Sequence, residues 1–416
     1  MAEFAQSNIA APGIMAVDWE QRVDMNRLRD HRFARAKKAL EESDLGAVLV
    51  FETSNVRYLT ATHIGTWAYN KTERWALLTR TGTPWIWDFG SAAKNHRLYS
   101  PWLAESQSLG GNVGLQGAIA PVAGLPERAA FEIAGILRDE GVADMPLGID
   151  VVELPVLRAL EAQGIEVRDA QQVMLEARSI KNIDEVLLLS QAASMVDGVY
   201  QDISEALKPG VRESDIVALA TSRLIQMGSE QVEAINSIAG ERCSPHPHVY
   251  SDRYVRPGDT AYFDVIHAFN GYRTCYYRTF AVGRATQAQH DAYAKAREWI
   301  DAAIGAVRPG VGTDEIAKLW PKAPEFGFDS EMEAFGLQFG HGLGLGLHER
   351  PIISRLNSLE DPVEIKEGMV FALETYCPTK DGRSAARIEE EIVVTKDGAE
   401  LLTLFPAEEL FIANEY

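Results

Sequence analysis

The most specific signal in this chain is a glycine-rich segment in its last third, Phe339-Gly340-His341-Gly342-Leu343-Gly344-Leu345-Gly346-Leu347-His348-Glu349-Arg350-Pro351. Two histidines, His341 and His348, stand seven residues apart within it. Glycine allows a backbone to pass close to a bound group. A histidine can use one ring nitrogen as a metal ligand or acid–base group while its other nitrogen is oriented. The segment therefore predicts one wall of a metal-binding or catalytic cavity.

An aspartate upstream of this segment lies on a predicted hairpin. The run 261–266 has the apolar composition of a buried strand that ends near Asp264, and the turn signal Asn270-Gly271 predicts a return strand over 272–282. A carboxylate beside such a hairpin can direct its oxygens into a cleft. His267 could also face this cleft if the strand were bulged.

Two glutamates follow on apolar runs of the same kind. Glu374 ends the run 368–374, and Glu389 lies near the start of the next run. Together with the aspartate and the first histidine they supply strand-borne oxygen and nitrogen donors, a set that suits a hard or borderline divalent ion. The next two acids, Glu390 and Glu391, are interpreted as ordinary strand and surface residues.

A repeated motif indicates an internal duplication. Residues 206–216 and 306–316 each read as the end of a helix, a Pro-Gly turn and a Ser or Thr placed to cap the next helix. Two such copies predict a duplicated helical hairpin in the C-terminal half. The alternative is a chance recurrence of Pro-Gly-Val, a common helix stop.

The N-terminal part reads as a separate α/β domain. Amphipathic spacing predicts a surface helix over 27–42. Strands are predicted at 47–51, 75–79, 85–87 and 147–150, and further helices at 126–140 and 155–163. The stretch 106–124, rich in Gly, Ala and Pro, predicts a long loop, and a long helix is predicted over 183–207. We therefore expect one domain over 1–175 and a second over 176–416.

Length, charge and cysteine content exclude several classes of protein. A chain of 416 residues with 46% hydrophobic content can bury two domain cores. The net charge of −20, without clustered Lys and Arg, argues against a nucleic-acid partner. Three cysteines are too few for a disulfide scaffold, and no stretch predicts a signal peptide or a membrane span. A soluble cytoplasmic protein is expected.

The chain resembles the pita-bread family of methionine aminopeptidases, Xaa-Pro peptidases, prolidases and creatinases in four motifs taken as a set: the Gly-His-Gly strip, the His-Glu-x-Pro sequence after it, the Gly-Met-Val…Glu run and the Arg-Ile-Glu-Glu segment. This resemblance covers Arg178 to the C-terminus and is preceded by a creatinase-like N-terminal domain. It implies an α/β protein whose catalytic domain has the pita-bread, duplicated α+β fold. It also implies a small-molecule substrate and a homodimer, in which the N-terminal domain helps to close a neighbouring subunit's active site.

The resemblance implies ligand roles for Asp264, His341, Glu374 and Glu389, but Cys275 replaces the family's second aspartate, eleven residues after the first. In the peptidases that aspartate bridges two metal ions. Its loss removes a negative charge between two dications whose repulsion is severe at low dielectric. Two possibilities stay open. Either one divalent ion (Zn, Mn or Fe) is held by His341, Glu374 and Glu389 with Asp264 or a Cys275 thiolate nearby, or the site works without metal, as in creatinases. A thiolate ligand would favour zinc.

By the same resemblance, three residues are expected to act in catalysis: His348, Glu374 and His246. Three others are expected to contact the substrate: His248, Trp67 and Arg387. The two histidines at 246 and 248 lie on a loop where relatives carry a substrate-side histidine, and the alternative is a pair of surface histidines without a role. Most tryptophans of the N-terminal domain are expected to be core residues.

The predicted activity is hydrolysis of a C–N bond in a small polar substrate, such as an Xaa-Pro dipeptide, a guanidino acid or a betaine-like amide. Water held by Glu374 and any bound ion would attack the scissile carbon, and His348 would stabilise or protonate the tetrahedral intermediate. Local segments, including Asn55-Val56-Arg57-Tyr58, also resemble the dimethylsulfoniopropionate lyase branch of this fold. That branch has a carboxylate base where this chain has His348. A lyase that releases dimethyl sulfide and acrylate is therefore the second hypothesis, and a binding protein without activity is the third.

Overall fold

The computed structural model describes residues 23–65, 73–337 and 339–416 of the chain. They form two compact units, one over Asp24–Arg178 and the other over Ser179–Tyr416. Of the described helices, none combines the length and the apolar content that crossing a bilayer requires.

A six-stranded mixed sheet with the order β4-β3-β2-β1-β5-β6 forms the centre of the N-terminal unit. Its strands are β1 (Ala47–Val50), β2 (Trp75–Thr79), β3 (Trp85–Asp88), β4 (Ser108–Gly110), β5 (Leu147–Ile149) and β6 (Val167–Asp169). All of β1 is buried, as its unbroken apolar sequence predicts for a strand covered on both faces. The short β4 lies within 106–124, where the sequence predicted only a loop. It was missed because three residues paired to β3 at a sheet edge leave no periodic signal.

The described helices of this unit are α1 (Met25–Glu42), α2 (Thr53–Thr60), α3 (Ala92–Tyr99), α4 (Leu125–Asp139), α5 (Leu154–Ala162) and α6 (Gln171–Ser179). The Asp24 side chain starts α1 by accepting hydrogen bonds from two backbone N–H groups of its first turn. Trp75 and Trp87 stack in the core with ring centroids 5.8 Å apart. Trp102 is 42% exposed, and Trp67 lies outside the described residues.

Two sheets form the C-terminal unit. The four-stranded sheet has the order β15-β9-β8-β7 and consists of β7 (Gln231–Ala239), β8 (Thr260–Phe269), β9 (Tyr272–Val282) and β15 (Phe411–Ala413). The five-stranded sheet has the order β11-β10-β12-β13-β14 and consists of β10 (Phe339–Gly342), β11 (Glu349–Ser354), β12 (Val370–Pro378), β13 (Ala385–Thr395) and β14 (Gly398–Leu401). Strand β9 contacts β13, so the two long hairpins share one interior.

Helices cover the sheets of this unit. The long α7 (Ile183–Ala206) and α8 (Glu213–Gln226) pack against the four-stranded sheet, and α9 (Gln287–Ala306) packs against the five-stranded sheet. Two short helices, α10 (Thr313–Ala317) and α11 (Glu331–Ala334), precede β10. Asn270 and Gly271 join β8 to β9 with positive φ values of 49° and 85°, which are those of the predicted two-residue turn.

Matched hydrogen bonds confirm the duplication that the two Pro-Gly motifs predicted. The Gly210 N–H donates to the Val255 carbonyl, and the Gly310 N–H donates to the Ile365 carbonyl, both at 2.9 Å. In each copy an isolated antiparallel bridge follows, Arg212 with Tyr254 and Gly312 with Glu364. The sequence echo is therefore a repeated structural unit.

The duplication places two acids at equivalent positions. Asp264 and Glu374 each stand six residues after a turn glycine, and each lies on the first strand of a long hairpin. Their Cα partners across the hairpins are Tyr277 and Glu389, respectively. Each copy therefore contributes the middle of one hairpin to the common interior.

Candidate active site

The acidic residues lie in the middle of their strands, not at the ends that the sequence predicted. Asp264 is the fifth residue of β8, Glu374 the fifth of β12 and Glu389 the fifth of β13. The apolar runs stop at these residues because polar side chains facing the interior follow, while the sheet ladder continues beyond them. Positions inside long strands hold side chains more rigidly than loops do.

Three of the predicted residues converge on one point: Cys275 of β9, His341 of β10 and Glu389 of β13. One possible donor atom from each lies within 4.8 Å of the others, and all three residues are buried. The Nε2 atom of His341 and the Oε1 atom of Glu389 are 3.5 Å apart. The contact between β9 and β13 thus brings sulfur, nitrogen and oxygen atoms together from both sheets.

Glu389 carries the clearest sign of an unmet interaction. It is fully buried, and neither of its carboxylate oxygens has a hydrogen-bond partner among the described residues. Such a group costs free energy unless it is neutralised or paired. Burial, reinforced by the charge of Asp264, raises the pKa of the Glu389 carboxyl well above its usual range. This side chain is therefore suited to hold either a proton or a cation.

Asp264 is held from two sides. The Cys275 Sγ atom donates to its Oδ1 at 3.4 Å, and Asn236 Nδ2 donates to its Oδ2 at 3.0 Å. Burial raises the pKa of both the Asp264 carboxyl and the Cys275 thiol. Asn236 also donates to the Tyr277 hydroxyl at 3.3 Å, and that hydroxyl lies 2.8 Å from His246 Nε2. A chain of polar contacts therefore links the loop histidine to the acid cluster.

Glu374 forms a buried ion pair with Arg387. The guanidinium also donates to the Gly336 carbonyl at 3.2 Å, and its central carbon lies 4.0 Å from the centroid of the Tyr277 ring. Two of its nitrogens, Nε and Nη1, have no hydrogen-bond partner among the described residues. Burial and the charge of Glu389 raise the pKa of Glu374 to about 8, although Arg387 acts in the opposite direction. Glu374 can therefore exchange a proton near neutral pH.

His348 lies on the exposed side of the cluster. Its ring centroid is 4.6 Å from that of His341, and its ring is stacked on Phe339 at 6.4 Å with an interplanar angle of 17°. Partial burial and the neighbouring His341 lower the pKa of His348. The imidazole is therefore neutral near pH 7 and accessible to a ligand.

A buried ion pair anchors the loop that carries His348. Lys181 Nζ donates to Glu349 Oε2 at 3.0 Å, and both side chains are 1% exposed. The other Glu349 oxygen accepts a hydrogen bond from the Gly346 N–H at 2.8 Å. Since Glu349 follows His348 directly, the pair fixes the backbone from which the imidazole projects.

The glycines of this segment permit close packing within the protein. A Cβ atom at Gly340 would lie 2.6 Å from the Ala372 carbonyl oxygen, and one at Gly344 would lie 2.6 Å from Glu349 Oε2. Real Cβ atoms do not approach other atoms so closely. The sequence suggested that these glycines let the backbone approach a bound group. At these two positions glycine is instead required by a neighbouring strand and by the Glu349 carboxylate.

The second loop histidine lies beside the first. The rings of His246 and His248 have centroids 3.7 Å apart, and His248 is exposed. Burial and the nearby Arg387 charge lower the pKa of both imidazoles. His246 and Arg387 both pack against the Tyr277 ring, with the His246 ring centroid at 5.6 Å and the guanidinium carbon at 4.0 Å from its centroid, so the pair lies on the Arg387 side of the cluster. The predicted substrate contact of Trp67 lies outside the described residues.

His267 does not face the cluster, so the expectation of an inward bulge is wrong. Its Nδ1 lies 3.0 Å from Ser229 Oγ and its Nε2 lies 2.9 Å from the Ala192 carbonyl. The irregularity in this sheet lies on β7, between Val232 and Ala234, and β8 itself keeps its register. Both ring nitrogens of His267 thus have partners within the protein.

His267 provides a pH-dependent test of the fold. Because burial lowers its pKa in the folded state, the unfolded chain binds a proton near pH 6.5 that the folded chain does not. Stability is therefore lost as pH falls below about 6.5, by up to about 1.4 kcal/mol per pH unit. We expect His267→Gln to make the free energy of unfolding, measured with urea from pH 7.5 to 5, less dependent on pH. The exposed His290→Gln variant should keep the wild-type slope, and an unchanged slope in His267→Gln would contradict this account.

Glu390 and Glu391 are not surface acids, and that interpretation is wrong. Glu390 is 3% exposed and pairs with Arg278 at 2.8 Å and with Arg297 at 3.1 Å. Glu391 is fully buried and accepts hydrogen bonds at 2.6 Å from the Cys275 backbone N–H and from the Thr274 hydroxyl. Strand β13 is covered by α9 on one side and β9 on the other, so residues of both faces are buried.

Several residues around the cluster were not predicted. Asn236 is the Cα partner of Asp264 on β7, and a lone amide within the apolar run 234–239 was the available signal. Tyr277 gave no signal in the sequence that separates it from an ordinary aromatic residue, and Lys181 was noted only as part of the segment 178–181 that resembles the lyase branch. Glu349 belongs to the quoted glycine-rich segment, yet its role becomes visible only through Lys181, 168 residues away.

The residues present do not fit the pair of metal ions that the resemblance implied. A bridging carboxylate is replaced by Cys275, whose sulfur donates to Asp264, and Glu374 is engaged by Arg387. Adding two dications to a site that lacks one carboxylate and contains a guanidinium would leave strong repulsion at low dielectric.

Comparisons with known proteins agree with this fold. Residues 188–396 match metallopeptidase family M24. The chain is 27% identical over 421 residues to the dimethylsulfoniopropionate lyase DddP of Roseovarius nubinhibens, covering 97% of this chain and 89% of that protein. It is 31% identical over 250 residues to the probable dipeptidase PepE of Mycobacterium bovis, covering 59% of this chain and 64% of that protein.

Solved structures give the same architecture. The crystal structure of dipeptidase PepE from Mycobacterium ulcerans superimposes with a TM-score of 0.73 at 24% identity, covering 94% of this chain and 99% of that one. Prolidase from Pyrococcus furiosus superimposes with a TM-score of 0.67 at 22% identity, covering 88% of this chain and 99% of that one. Since the predicted motifs, the duplicated fold and the family match coincide, this chain belongs to metallopeptidase family M24 and has the pita-bread fold.

Proposed function

We propose that this protein hydrolyses a C–N bond in a small polar substrate that carries a carboxylate, such as an Xaa-Pro dipeptide, a guanidino acid or a betaine-like amide. The observation that carries the proposal is that imidazoles bound the buried acid cluster on two sides. His348 contacts it through His341, and His246 is joined to it through Tyr277. Groups that could accept and donate protons thus border the same acid cluster, which supports hydrolysis.

Glu374 is the proposed general base. Its carboxylate would remove a proton from the attacking water, and the resulting oxygen–carbon bond would convert the scissile carbonyl to a tetrahedral intermediate. The same proton would then pass to the leaving nitrogen as the C–N bond breaks, so that Glu374 ends as it began. A pKa of about 8 suits both directions of transfer near neutral pH.

His348 is proposed to stabilise the intermediate. Its neutral imidazole has one N–H that can donate to the developing oxyanion. The stacked Phe339 ring and the anchored Glu349 backbone limit its movement. Positioned donors that need no reorganisation stabilise the transition state more than mobile ones do.

Arg387 is proposed to orient the substrate. It lies on the same side as His246, since both pack against the Tyr277 ring, and the His248 ring lies beside that of His246. Its Nε and Nη1 atoms, which have no hydrogen-bond partner among the described residues, would donate hydrogen bonds to a substrate carboxylate after a small movement of the Tyr277 ring. The substrate would then lie with its anionic end at Arg387 and its scissile bond at Glu374.

A lyase reaction is the second candidate, favoured by one observation. The Roseovarius lyase aligns with 97% of this chain, N-terminal unit included, whereas the mycobacterial dipeptidase aligns with 59%. In this reaction a base removes the proton from the carbon next to the carboxylate, and the electron pair forms a C–C double bond as the C–S bond breaks and dimethyl sulfide leaves. His348 would be the base at the position where the lyase branch carries a carboxylate.

A direct assay separates the candidates. Purified wild-type protein would be incubated with a panel of Xaa-Pro dipeptides, guanidino acids and betaine-like amides, with released amine measured, and with dimethylsulfoniopropionate, with headspace dimethyl sulfide measured. We expect amine release that falls by about 10²–10⁴-fold in Glu374→Gln, while the exposed Glu298→Gln variant keeps full activity. Dimethyl sulfide without amine would select the lyase. A folded protein inactive on every substrate would favour the third hypothesis, a binding protein. The homodimer and the cytoplasmic location stay predictions.

A further inference from the structure

We propose that Cys275, His341 and Glu389 form a mononuclear site for one thiophilic divalent ion, with zinc as the preferred occupant. This inference does not rest on the proposed reaction, because it concerns what the three side chains bind and is tested without turnover. It replaces the two-ion arrangement implied by the family resemblance with a single ion held partly by sulfur.

The spacing of the donor atoms supports a shared ion. Two donors bound to a tetrahedral zinc ion at about 2.0–2.2 Å lie about 3.3–3.6 Å from each other. His341 Nε2 and Glu389 Oε1 are 3.5 Å apart, yet they form no hydrogen bond. The three donor atoms all lie within 4.8 Å of one another, so side-chain movements of about 1 Å would bring them to bonding geometry.

The unpartnered carboxylate supplies the second, independent observation. Glu389 is fully buried on a rigid strand, and both of its oxygens lack a hydrogen-bond partner among the described residues. Buried polar groups are satisfied in nearly all protein structures, and an exception calls for a missing ion, water or proton. A cation bound between this carboxylate, the His341 imidazole and the Cys275 sulfur would give the Glu389 oxygens the partner that they lack.

Charge balance favours one ion over two. A Cys275 thiolate and the Glu389 carboxylate together carry two negative charges, which match one dication. The Glu374 charge is already opposed by Arg387, and Asp264 is held by Asn236. A second dication would lack the bridging carboxylate that Cys275 replaces, and repulsion between the two ions would be weakly screened in this buried site.

The sulfur atom selects the kind of ion. Thiolate and imidazole ligands favour zinc, whereas all-oxygen sites favour manganese, magnesium or calcium. When the ion binds, the Cys275 S–H proton leaves for solvent and the sulfur–metal bond forms, which releases the Asp264 Oδ1 atom that the thiol now contacts at 3.4 Å. Asp264 then becomes the nearest candidate for a fourth donor.

The test is metal content and absorption spectroscopy on the full chain. Protein purified without added metal is analysed for bound elements, then stripped and titrated with Co²⁺, whose bonds to thiolate give a charge-transfer band in the near ultraviolet. We expect one equivalent of metal per chain, zinc bound in preference to manganese, and a sulfur-to-cobalt band that saturates at one equivalent. Cys275→Ser should abolish the band and weaken zinc binding by at least about 100-fold in a chelator competition, as expected when a ligand is lost.

Two further variants sharpen the result. Cys377→Ser removes another buried thiol, which contacts the Pro378 carbonyl outside this cluster, and should keep the band. Cys275→Asp restores an oxygen donor and should lose the band, bind a second equivalent and shift preference toward manganese. Circular dichroism checks that each variant folds, and the wild-type band answers the question even if one does not. Two equivalents in the wild type, no band, or a band that survives Cys275→Ser would overturn the proposal.

Discussion

Replacing His348 with alanine is expected to lower kcat by about 10²–10⁴-fold and to change KM much less, because a donor to the oxyanion acts mainly in the transition state. The neutral imidazole is placed for this role by its stacking on Phe339 and its contact with His341. The measurement is steady-state kinetics on whichever panel substrate the wild type turns over. The loss should appear equally in kcat and in kcat/KM.

Matched variants make this result specific to the position. His290 is exposed on α9, and His290→Ala should retain wild-type kinetics. His348→Gln keeps an N–H donor of similar length and should recover part of the lost rate. If His348→Ala raised KM while leaving kcat unchanged, His348 would be a binding residue only, and the proposed stabilisation of the intermediate would be wrong.

Replacing Arg387 with methionine is expected to lower the free energy of unfolding by about 3–5 kcal/mol, the cost of removing one partner from a buried ion pair. Arg387 is fully buried and contacts Glu374 and the Gly336 carbonyl. Its charge also lowers the pKa values of the neighbouring Asp264 and Glu389 carboxyls, against the larger effect of burial. Without this cation the acids must share one interior unopposed.

The pH dependence of this loss follows from the same contacts. Removing Arg387 raises the carboxyl pKa values in the folded state only. The loss in the free energy of unfolding should therefore grow as pH rises, because the acids must then ionise inside the folded protein. Urea unfolding at pH 6 and pH 8.5, with a chelator present so that metal binding does not contribute, measures it. Arg387→Lys should lose less, and the exposed Arg284→Met should change stability by no more than about 0.5 kcal/mol. A deficit below about 1 kcal/mol at both pH values would show that the pair does not stabilise the fold.

Much of the fold was predictable because its signals are local. The hairpin at Asn270 and Gly271 has one favoured turn chemistry, and the return strand Tyr272–Val282 has the predicted bounds. The duplication was readable because each copy repeats a helix stop, a turn and a cap within eleven residues. The glycine-rich segment pointed to the acid cluster because it carries two histidines, although its glycines at 340 and 344 pack against the protein and not against a bound group.

What the sequence could not supply depends on contacts between distant strands. The burial of Glu390 and Glu391 arises because α9 and β9 cover both faces of β13, and an acidic run carries no sign of this. The pairing of Lys181 with Glu349 spans 168 residues. Asp264 and Glu374 were placed at strand ends because apolar runs stop where polar side chains turn toward a cavity.

The substitution at Cys275 illustrates how much one residue can alter an otherwise shared site. Family membership follows from a match over 188–396, whereas the metal ions that such a site could hold depend on the donor atom that residue 275 supplies beside His341 and Glu389. In this chain that atom is sulfur, 3.4 Å from an Asp264 oxygen. A relative with the same fold and an aspartate there would hold a different charge in the same cavity.

X-ray absorption at the zinc edge of the wild-type protein tests this account most directly. We predict one sulfur neighbour at about 2.3 Å and nitrogen or oxygen neighbours at about 2.0–2.2 Å, with the sulfur contribution lost in Cys275→Asp. A zinc ion surrounded only by nitrogen and oxygen, or a second metal atom at short range, would contradict the arrangement of Cys275, His341 and Glu389 described above.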